Sequence, residues 1–173
     1  MTGKLVLETE RLLLREYVPE DAEATFEVGS NPLVQQYTGD ACFTSVEEAR
    51  SVILRHPIED YRKYGFGRWA AVYKPDGRLI GMAGLKYLPE LEEVDLGYRL
   101  LPAYWGMGLA TEASLASLRY GFETLQLSRI LGLVHPANVR SIRVLEKCGM
   151  TFEKMTQIGS QPVAQFAIHA ETG

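Results

Sequence analysis

The 173-residue chain has few cysteines and no long apolar run. Its two cysteines, Cys42 and Cys148, are too few for a disulfide framework. No apolar stretch approaches the ~20 residues that a helix needs to cross a bilayer. Residues 1–11 carry acids where a secretory signal would need an unbroken apolar segment. We therefore expect a cytoplasmic protein that does not associate with membranes.

The chain also lacks a strong excess of charge. It has 22 acidic and 18 basic side chains, for a formal net charge of −4. Nucleic-acid-binding proteins usually concentrate basic residues on one face, so this balance argues against a nucleic-acid partner. A mildly acidic protein suits a cationic acceptor such as an amine, although many unrelated proteins are equally acidic. With 46% hydrophobic and 23% charged residues, the chain is expected to fold as one domain over residues 1–173.

The order of apolar and polar residues predicts an α/β (α+β) fold. Apolar runs bounded by turn signals such as Pro75-Asp76-Gly77 mark the strands, and recurrence at helical spacing marks the helices. Most neighbouring strands are expected to run antiparallel, with one parallel crossover through a helix at 109–124. Predicted strands span 12–15, 69–73, 79–85, 94–101, 130–134, 150–155 and 163–169, and predicted helices span 19–28, 44–64, 109–124 and 138–147.

The sequence also indicates how two of these elements pack. Strand 163–169 has two possible partners: strand 150–155 in an internal hairpin, or another copy of the chain if it lies at the edge of the sheet. A monomer or a homodimer is therefore expected. The apolar face of helix 109–124 is expected to consist of Leu115, Leu118, Phe122 and Leu125.

The most informative segment is 95–113, where an apolar strand runs into a glycine loop and a helix follows at once. Gly106 and Gly108 let the main chain approach a ligand closely, and free N–H groups at the start of the helix point toward it. This order predicts a binding site for a phosphorylated cofactor. A dinucleotide fold is not expected, because Thr111 stands where the third glycine of the Gly-x-Gly-x-x-Gly pattern belongs. A Gly-Lys-Ser/Thr phosphate loop is also missing.

Longer motifs surround the glycine loop. They are Asp95-Leu-Gly-Tyr98, Trp105-Gly-Met-Gly-Leu-Ala-Thr-Glu-Ala113 and Val134-His-Pro-Ala-Asn-Val-Arg-Ser-Ile-Arg-Val-Leu-Glu-Lys-Cys-Gly-Met150. Together they resemble the GNAT superfamily of N-acetyltransferases. The opening Leu7-Glu-Thr-Glu-Arg-Leu-Leu-Leu-Arg15 is similar to that of the ribosomal-protein alanine acetyltransferase-like branch. The resemblance implies acetyl-CoA as cofactor, and a mixed sheet of about six to seven strands with one splayed parallel pair, flanked by about four helices.

The resemblance also implies which residues bind acetyl-CoA. The glycine loop matches the family's segment whose main-chain amides hold the cofactor pyrophosphate, with Trp105 in the place of a polar residue. The end of the preceding strand matches the strand that hydrogen-bonds the pantetheine arm, and Asn138 matches an asparagine that contacts the same arm. The cofactor-binding residues implied in this way are Tyr98, Leu100, Trp105, Gly106, Met107, Gly108, Leu109, Ala110, Thr111, Asn138 and Ser141.

Transfer of an acetyl group to an amine needs a base, a donor for the oxyanion and an acid for the leaving thiolate. For the base we favour Asp95, the acid of the family's acidic-x-Gly-Tyr pattern. Glu93 lies two residues earlier on the same strand face and is a second candidate, acting directly or through water. His135 follows the next strand and belongs to the residue type that titrates near neutral pH. A solvated strand edge for the two acids, and a loop position for His135, are equally compatible with the sequence.

The residue that serves as the acid in the resembled family is replaced in this chain. The tyrosine common in the family falls at Leu145, and leucine cannot donate a proton. Ser141 is the best placed substitute, although hydroxyls in the first turn of a helix also bond to the main chain. The oxyanion donor is expected to be a main-chain N–H near Leu100. No spacing of His, Cys or Asp predicts a metal site, and no base partner marks either cysteine for an acetyl-cysteine route.

The leading hypothesis is an acetyl-CoA-dependent N-acetyltransferase that works by direct attack in a ternary complex. Its acceptor is expected to be a primary amine, either a protein N-terminal α-amino group or a small amine such as a polyamine. Loops 35–43 and 159–162 are the expected acceptor-binding segments. The alternative is a non-catalytic acyl-CoA-binding sensor or scaffold module, which Leu145 and Trp105 favour. The acids expected to attract an amine are Glu90, Glu92, Glu93 and Asp95.

Overall fold

The computed structural model describes residues 2–172, and its elements follow the predicted order. Short 3₁₀ turns at Pro19–Asp21 and Pro102–Tyr104 lie before α1 and α5. The first half contains β1 (Leu5–Glu8), β2 (Leu12–Arg15), α1 (Ala22–Gly29), α2 (Pro32–Gln35), α3 (Val46–Ile53), α4 (Glu59–Tyr64), β3 (Arg68–Tyr73) and β4 (Arg78–Leu88). The second half contains β5 (Glu93–Leu100), α5 (Leu109–Glu123), β6 (Arg129–Val134), α6 (Val139–Lys147), β7 (Thr151–Ile158) and β8 (Gln161–His169).

One eight-stranded sheet organises these elements, in the order β1-β2-β3-β4-β5-β6-β8-β7. All neighbouring strands are antiparallel except β5 and β6, which run parallel through the crossover helix α5. The mixed α/β fold is therefore confirmed. The sheet has one strand more than the sequence predicts, namely β1. This strand is four residues long, and its pairing with β2 shifts register. Its sequence therefore shows no regular alternation of apolar and polar residues that would predict a strand.

Strand β8 lies inside the sheet, between β6 and β7. Its main chain is hydrogen-bonded on both sides, to β6 and to β7. The internal hairpin of the two last strands is therefore confirmed, and the interpretation of 163–169 as an edge strand is wrong. Strand β7 lies at this end of the sheet instead. The hairpin brings Gln161 and Pro162 to the cleft described below.

Helix α5 lies against the sheet through small side chains rather than through a row of large ones. At Gly121 an added Cβ would lie 2.7 Å from Ile130 Cδ1 and 2.9 Å from Leu85 Cδ1, so the helix approaches β6 and β4 closely. The predicted apolar face is wrong at Leu115, which is 46% exposed. A close approach needs small residues, and a pattern of recurring leucines does not reveal them. The buried residues of α5 are Leu109, Ala113, Ser114, Ser117, Leu118 and Gly121.

Residues 46–64 form one continuous helical segment, as predicted. Helices α3 and α4 are joined by a π-helical turn over Leu54–Ile58, which contains Pro57. Ser45 begins the segment, because its Oγ accepts the N–H of Glu48 at 3.1 Å. Proline has no N–H to donate, and the wider turn accommodates it without ending the helix. The turn forms part of the cleft wall.

The core beside the functional cleft is built around Trp69 of β3, which is 1% exposed. Its ring meets the ring of Tyr120 on α5 edge-on, with 5.2 Å between centroids. The ring fits because Gly84 on β4 has no side chain: an added Cβ would lie 2.6 Å from Trp69 Cε3. The contact therefore sets the spacing of β3, β4 and α5, the layers that support the cleft.

We expect Gly84→Ala to destabilise the protein more than Gly77→Ala, a matched control. Both glycines have positive φ, so each alanine costs about 1–2 kcal/mol of backbone strain. Only the Gly84 variant also meets a neighbouring ring, which adds about 1–3 kcal/mol of overpacking, whereas no atom lies within 4 Å of a Cβ at Gly77. Urea unfolding measures the difference. Equal losses would show that the ring of Trp69 moves aside at no cost.

Candidate active site

A large cleft opens beside the parallel strands, with a volume of about 1370 Å³. One wall contains the end of β5, the glycine loop and the start of α6. The other contains segment 33–40, Phe43, the turn between α3 and α4, and the start of β8. All the predicted cofactor residues except Met107 line the cleft, and parts of both predicted acceptor loops face them. The two sets of residues therefore border one space, as transfer between two substrates requires.

The cleft exists because β5 and β6 part after two residue pairs. The strands pair at Asp95 with Leu131 and at Leu96 with Gly132. Beyond these pairs, the N–H of Leu133 donates to Asp95 Oδ1 at 3.1 Å instead of to the main chain of β5. The carboxylate thus ends the ladder and satisfies a donor that would otherwise be buried without a partner. Within residues 2–172, the edge of β5 that faces β6 has no strand partner after Leu96.

Arg68 on β3 holds this carboxylate in place. Its Nη2 donates to Asp95 Oδ2 at 2.6 Å, and its Nη1 donates at 2.7 Å to the main-chain oxygens of Asp95 and Gly84. Burial raises the pKa of Asp95, while Arg68 and the N–H of Leu133 oppose that rise. At Gly97 an added Cβ would lie 2.5 Å from Arg68 Nη2, so the Asp-x-Gly-Tyr motif needs its glycine to leave room for the guanidinium.

The glycine loop has the geometry of a phosphate site. Gly106 and Gly108 have φ angles of +76° and +80°, which residues with a side chain rarely adopt. Gly108 is the N-cap of α5, so the N–H groups of the three following residues have no acceptor within the helix. These residues border the cleft, where the positive end of the helix dipole adds to their attraction for an anion. The loop therefore fits the pyrophosphate of coenzyme A.

Trp105 connects the glycine loop to both neighbouring elements. Its Nε1 donates to the main-chain oxygen of Leu100 at 2.8 Å, which ties the loop to the end of β5. The guanidinium of Arg140 on α6 lies over the indole, 5.3 Å from the ring centroid. The tryptophan that replaces a polar residue of the family thus has a structural hydrogen bond of its own.

Two hydroxyls meet across the splayed region. Tyr98 Oη on β5 and Ser141 Oγ on α6 lie 2.9 Å apart, and either can donate to the other. Asn138 is the N-cap of α6, where its Oδ1 accepts the N–H of Ser141 at 3.2 Å. The amide group of Asn138 keeps its two donors for a ligand. Burial raises the pKa of Tyr98, so its phenol is protonated at neutral pH.

The structure separates the three candidate bases. Glu93 lines a second, smaller cavity of about 470 Å³, where its Oε1 accepts Arg129 Nε at 3.0 Å. His135 lines the main cleft, but its Nδ1 accepts the N–H of Ala137 at 3.1 Å. This main-chain contact occupies Nδ1, so that nitrogen is not free to contact an acceptor amine. Of the two acidic candidates, Asp95 is the one that lines the main cleft.

Three ion pairs in the cleft wall were not visible in the sequence. Their partners are far apart in the chain: Arg68 and Asp95 are separated by 27 positions, and Lys86 and Asp60 by 26. The third pair joins Arg99 to Asp40 at 2.7 Å. No local motif marks such pairs, because only the pairing of distant strands and helices brings their members together.

Other types of chemistry find little support in the described part of the chain. Burial raises the pKa of Cys148 to about 11, so its thiol is a poor nucleophile at neutral pH. Within residues 2–172, no three or more His, Cys, Asp and Glu side chains are grouped so as to hold a metal ion. None of the helices there combines the length and the apolar character needed to span a bilayer.

Comparison with known proteins shows the family. Residues 11–151 match the model of the acetyltransferase (GNAT) domain. The uncharacterized N-acetyltransferase YoaA of Bacillus subtilis (strain 168) is 36% identical over 149 residues, which cover 86% of this chain and 84% of that protein. The chain belongs to the GNAT family of acetyltransferases. It is an acetyl-CoA-dependent N-acetyltransferase.

Solved structures agree with this assignment. A GNAT-family acetyltransferase from Bacillus anthracis superposes with a TM-score of 0.80 at 29% identity, over 94% of this chain and 97% of that one. The ribosomal L7/L12 α-N-protein acetyltransferase RimL, solved in complex with coenzyme A, superposes with a TM-score of 0.82 at 17% identity. That match covers 96% of this chain and 98% of RimL, and at this identity it shows the shared fold alone.

We expect Asp95→Asn to lower the free energy of unfolding by about 3–5 kcal/mol, because it leaves the buried guanidinium of Arg68 without its counter-charge. The matched control is Asp40→Asn. Its carboxylate is 60% exposed in the pair with Arg99, so its loss is expected to cost about 0–1 kcal/mol. Urea unfolding of both variants measures the two costs. Small and similar losses would show that the buried pair does not hold the parted strands.

Proposed function

We propose that this N-acetyltransferase acts, as a single domain over residues 1–173, on an acceptor with one ammonium group. A protein N-terminal α-amino group and a small monoamine both meet this description. The reaction proceeds by direct attack of the neutral amine while acetyl-CoA and acceptor occupy the same cleft. The observation that carries the proposal is the balance of charge on the acceptor side of the cleft.

The carboxylates of the cleft are already paired. Within residues 2–172, three carboxylates line it, those of Asp40, Asp60 and Asp95, and each has an arginine or lysine partner. A polyamine would need unpaired carboxylates for its additional ammonium groups. Glu92 and Glu93, which were expected to attract the amine, line the separate small cavity. The acceptor side therefore favours a singly charged amine over a polyamine.

Three further expectations from the sequence stay predictions. They are the cytoplasmic location, the monomeric or dimeric state, and the place of the chain in the ribosomal-protein alanine acetyltransferase-like branch. The likeness to RimL supports the fold that such enzymes share. A peptide with a free N-terminus is the appropriate first probe of the acceptor.

Each step of the reaction has a candidate group in the cleft. Acetyl-CoA supplies the thioester whose carbonyl carbon the amine attacks. The amides of the glycine loop hold the pyrophosphate, and the free edge of β5 binds the pantetheine arm. Asp95 accepts the proton that the ammonium group loses, directly or through water. Its oxygens have one protein donor each, so lone pairs remain for this proton.

The hydroxyl pair of Ser141 and Tyr98 is the proposed acid. As the C–N bond forms and the C–S bond breaks, Ser141 Oγ gives its proton to the departing thiolate. Tyr98, which burial keeps protonated, returns a proton to the serine through their 2.9 Å hydrogen bond. Solvent water in the open cleft then reprotonates Tyr98 and takes the second proton that the nitrogen loses as the amide forms. The pair thus supplies the proton that the family's tyrosine would give, since leucine stands at position 145.

We expect Ser141→Ala to lower kcat about 100-fold and to leave the Kd for coenzyme A nearly unchanged, because the serine acts on the leaving group. Tyr98→Phe is expected to lower kcat less, since the serine keeps its own proton. Ser128→Ala, an exposed serine outside the cleft, is the matched control. Steady-state kinetics and calorimetric titration give the two quantities. A serine variant with normal kcat would exclude Ser141 as the acid.

The acceptor is tested by acetyl-CoA-dependent release of free thiol with peptides that carry free N-termini, with single amino acids and with spermidine. We expect a peptide or an amino acid to support turnover at a kcat/KM at least about tenfold above that of spermidine, because a second ammonium group finds no unpaired carboxylate. Efficient turnover of spermidine alone would overturn the assignment of a singly charged acceptor.

A further inference from the structure

The turn between β1 and β2 reaches across the sheet to the glycine loop. Arg11 Nη1 donates to the main-chain oxygen of Met107 at 2.8 Å, and Arg11 Nε donates to Glu112 Oε1 at 2.9 Å. Glu112 Oε2 accepts the N–H of Arg11 at 2.9 Å and the hydroxyl of Thr9 at 2.6 Å. One arginine side chain therefore contacts both the loop and the first turn of α5.

The turn that carries Arg11 is itself well defined. Thr9 and Leu12 exchange hydrogen bonds: the N–H of Thr9 donates to Leu12 O at 2.9 Å, and Thr9 Oγ1 accepts the N–H of Leu12 at 3.0 Å. Leu12 is fully buried at the start of β2. The arginine is thus anchored to the central sheet rather than to a mobile segment. Glu112 is 18% exposed, so water screens its pair with Arg11 only in part.

The contact with Met107 has a directional consequence. In a trans peptide, the C=O of one residue and the N–H of the next point in opposite directions. Arg11 does not line the cleft, whereas Gly108 does. Because the carbonyl of Met107 bonds to Arg11, the N–H of Gly108 points away from Arg11, and Gly108 is a residue that borders the cleft. Glycine at 106 and 108 permits this orientation but does not select it.

We propose that Arg11, held by Glu112 and Thr9, is a positioning residue for the cofactor pyrophosphate: it orients the Met107–Gly108 peptide so that its N–H faces the cleft. The inference rests on the proposed role of loop 105–111 in binding the pyrophosphate. The proposal also gives a role to Met107, which was predicted to bind the cofactor but does not line the cleft. Its carbonyl bonds to Arg11, and it gives no group to the ligand.

The arrangement joins the opening segment of the chain to the glycine loop and the helix that follows it. Thr9 and Arg11 belong to the first, Met107 and Glu112 to the second, and these residues bond to one another. Burial alone would raise the pKa of Glu112, but the donors from Thr9 and Arg11 outweigh it and hold that pKa below its usual value. The carboxylate is therefore charged at neutral pH and can pair with Arg11.

The test compares Arg11→Gln with Arg129→Gln, using the full chain and coenzyme A as the probe. Arg129 is the matched control because, like Arg11, it pairs with acidic side chains, here Glu93 and Glu153, and lies away from the loop. We expect Arg11→Gln to weaken coenzyme A binding about tenfold in calorimetric titration, and Arg129→Gln to leave the Kd within about twofold.

Hydrogen–deuterium exchange of the free protein separates positioning from general destabilisation. Arg11→Gln is expected to speed exchange in the peptide that covers 105–111 while the core strands β3 and β4 stay protected. Glu112→Gln keeps the side-chain shape and is expected to shift both measurements in the same direction, so it replaces the first variant if that one does not fold. Unchanged affinity, or faster exchange throughout the chain, would overturn the proposal.

The same data distinguish this inference from the assignment of the loop. One outcome is that Arg11→Gln speeds exchange in the loop without changing the affinity for coenzyme A. In that case the loop does not bind the pyrophosphate, and both the loop assignment and the role of Arg11 are wrong. If coenzyme A protects 105–111 from exchange in the wild type but Arg11→Gln changes neither loop nor affinity, the loop assignment stands and the role of Arg11 is wrong.

Discussion

The ion pair between Arg68 and Asp95 is the interaction on which the cleft depends. Two parallel strands of apolar residues would normally continue their ladder, and the N–H of Leu133 would then bond to the main chain of β5. The Asp95 carboxylate takes this donor instead, and Arg68 makes its burial tolerable. Buried ion pairs are seldom a strong source of stability, because desolvation of both charges offsets their attraction. Here the pair keeps a strand edge open, and that edge is where a ligand can bind.

Side chains fix the main chain in the rest of the site as well. They bond to its carbonyl groups and leave the N–H groups at the start of α5 without an acceptor within the helix. Trp105 binds the carbonyl of Leu100, and Arg11 binds the carbonyl of Met107. Neither contact fills the cleft. Both remove freedom from a backbone whose N–H groups have no internal acceptor, and a binding site assembled in advance loses less entropy when the ligand arrives. The site is thus prepared by bonds within the protein that form before a ligand binds.

The sequence predicted what depends on residues close together in the chain. The glycine loop and seven of the eight strands arise from local patterns, and the structure confirms their places. Contacts between distant segments were not accessible in this way. Glu93 and Asp95 are two residues apart on one strand, yet Arg129 draws the first carboxylate into a small cavity and Arg68 draws the second into the cleft. Leu115 is a similar case, because the sheet selects the small residues of α5 for close packing.

The chain has two tryptophans, and the structure gives them opposite surroundings. Trp69 is sealed in the core against Tyr120, whereas Trp105 lines the cleft beneath the guanidinium of Arg140. Occupation of the cleft changes the polarity and the charge around the second indole and leaves the first untouched. The intrinsic fluorescence of the unmodified protein is therefore the sum of two signals. The emission of Trp105 responds to occupation of the cleft beside the glycine loop, and the emission of Trp69 in the core stays constant.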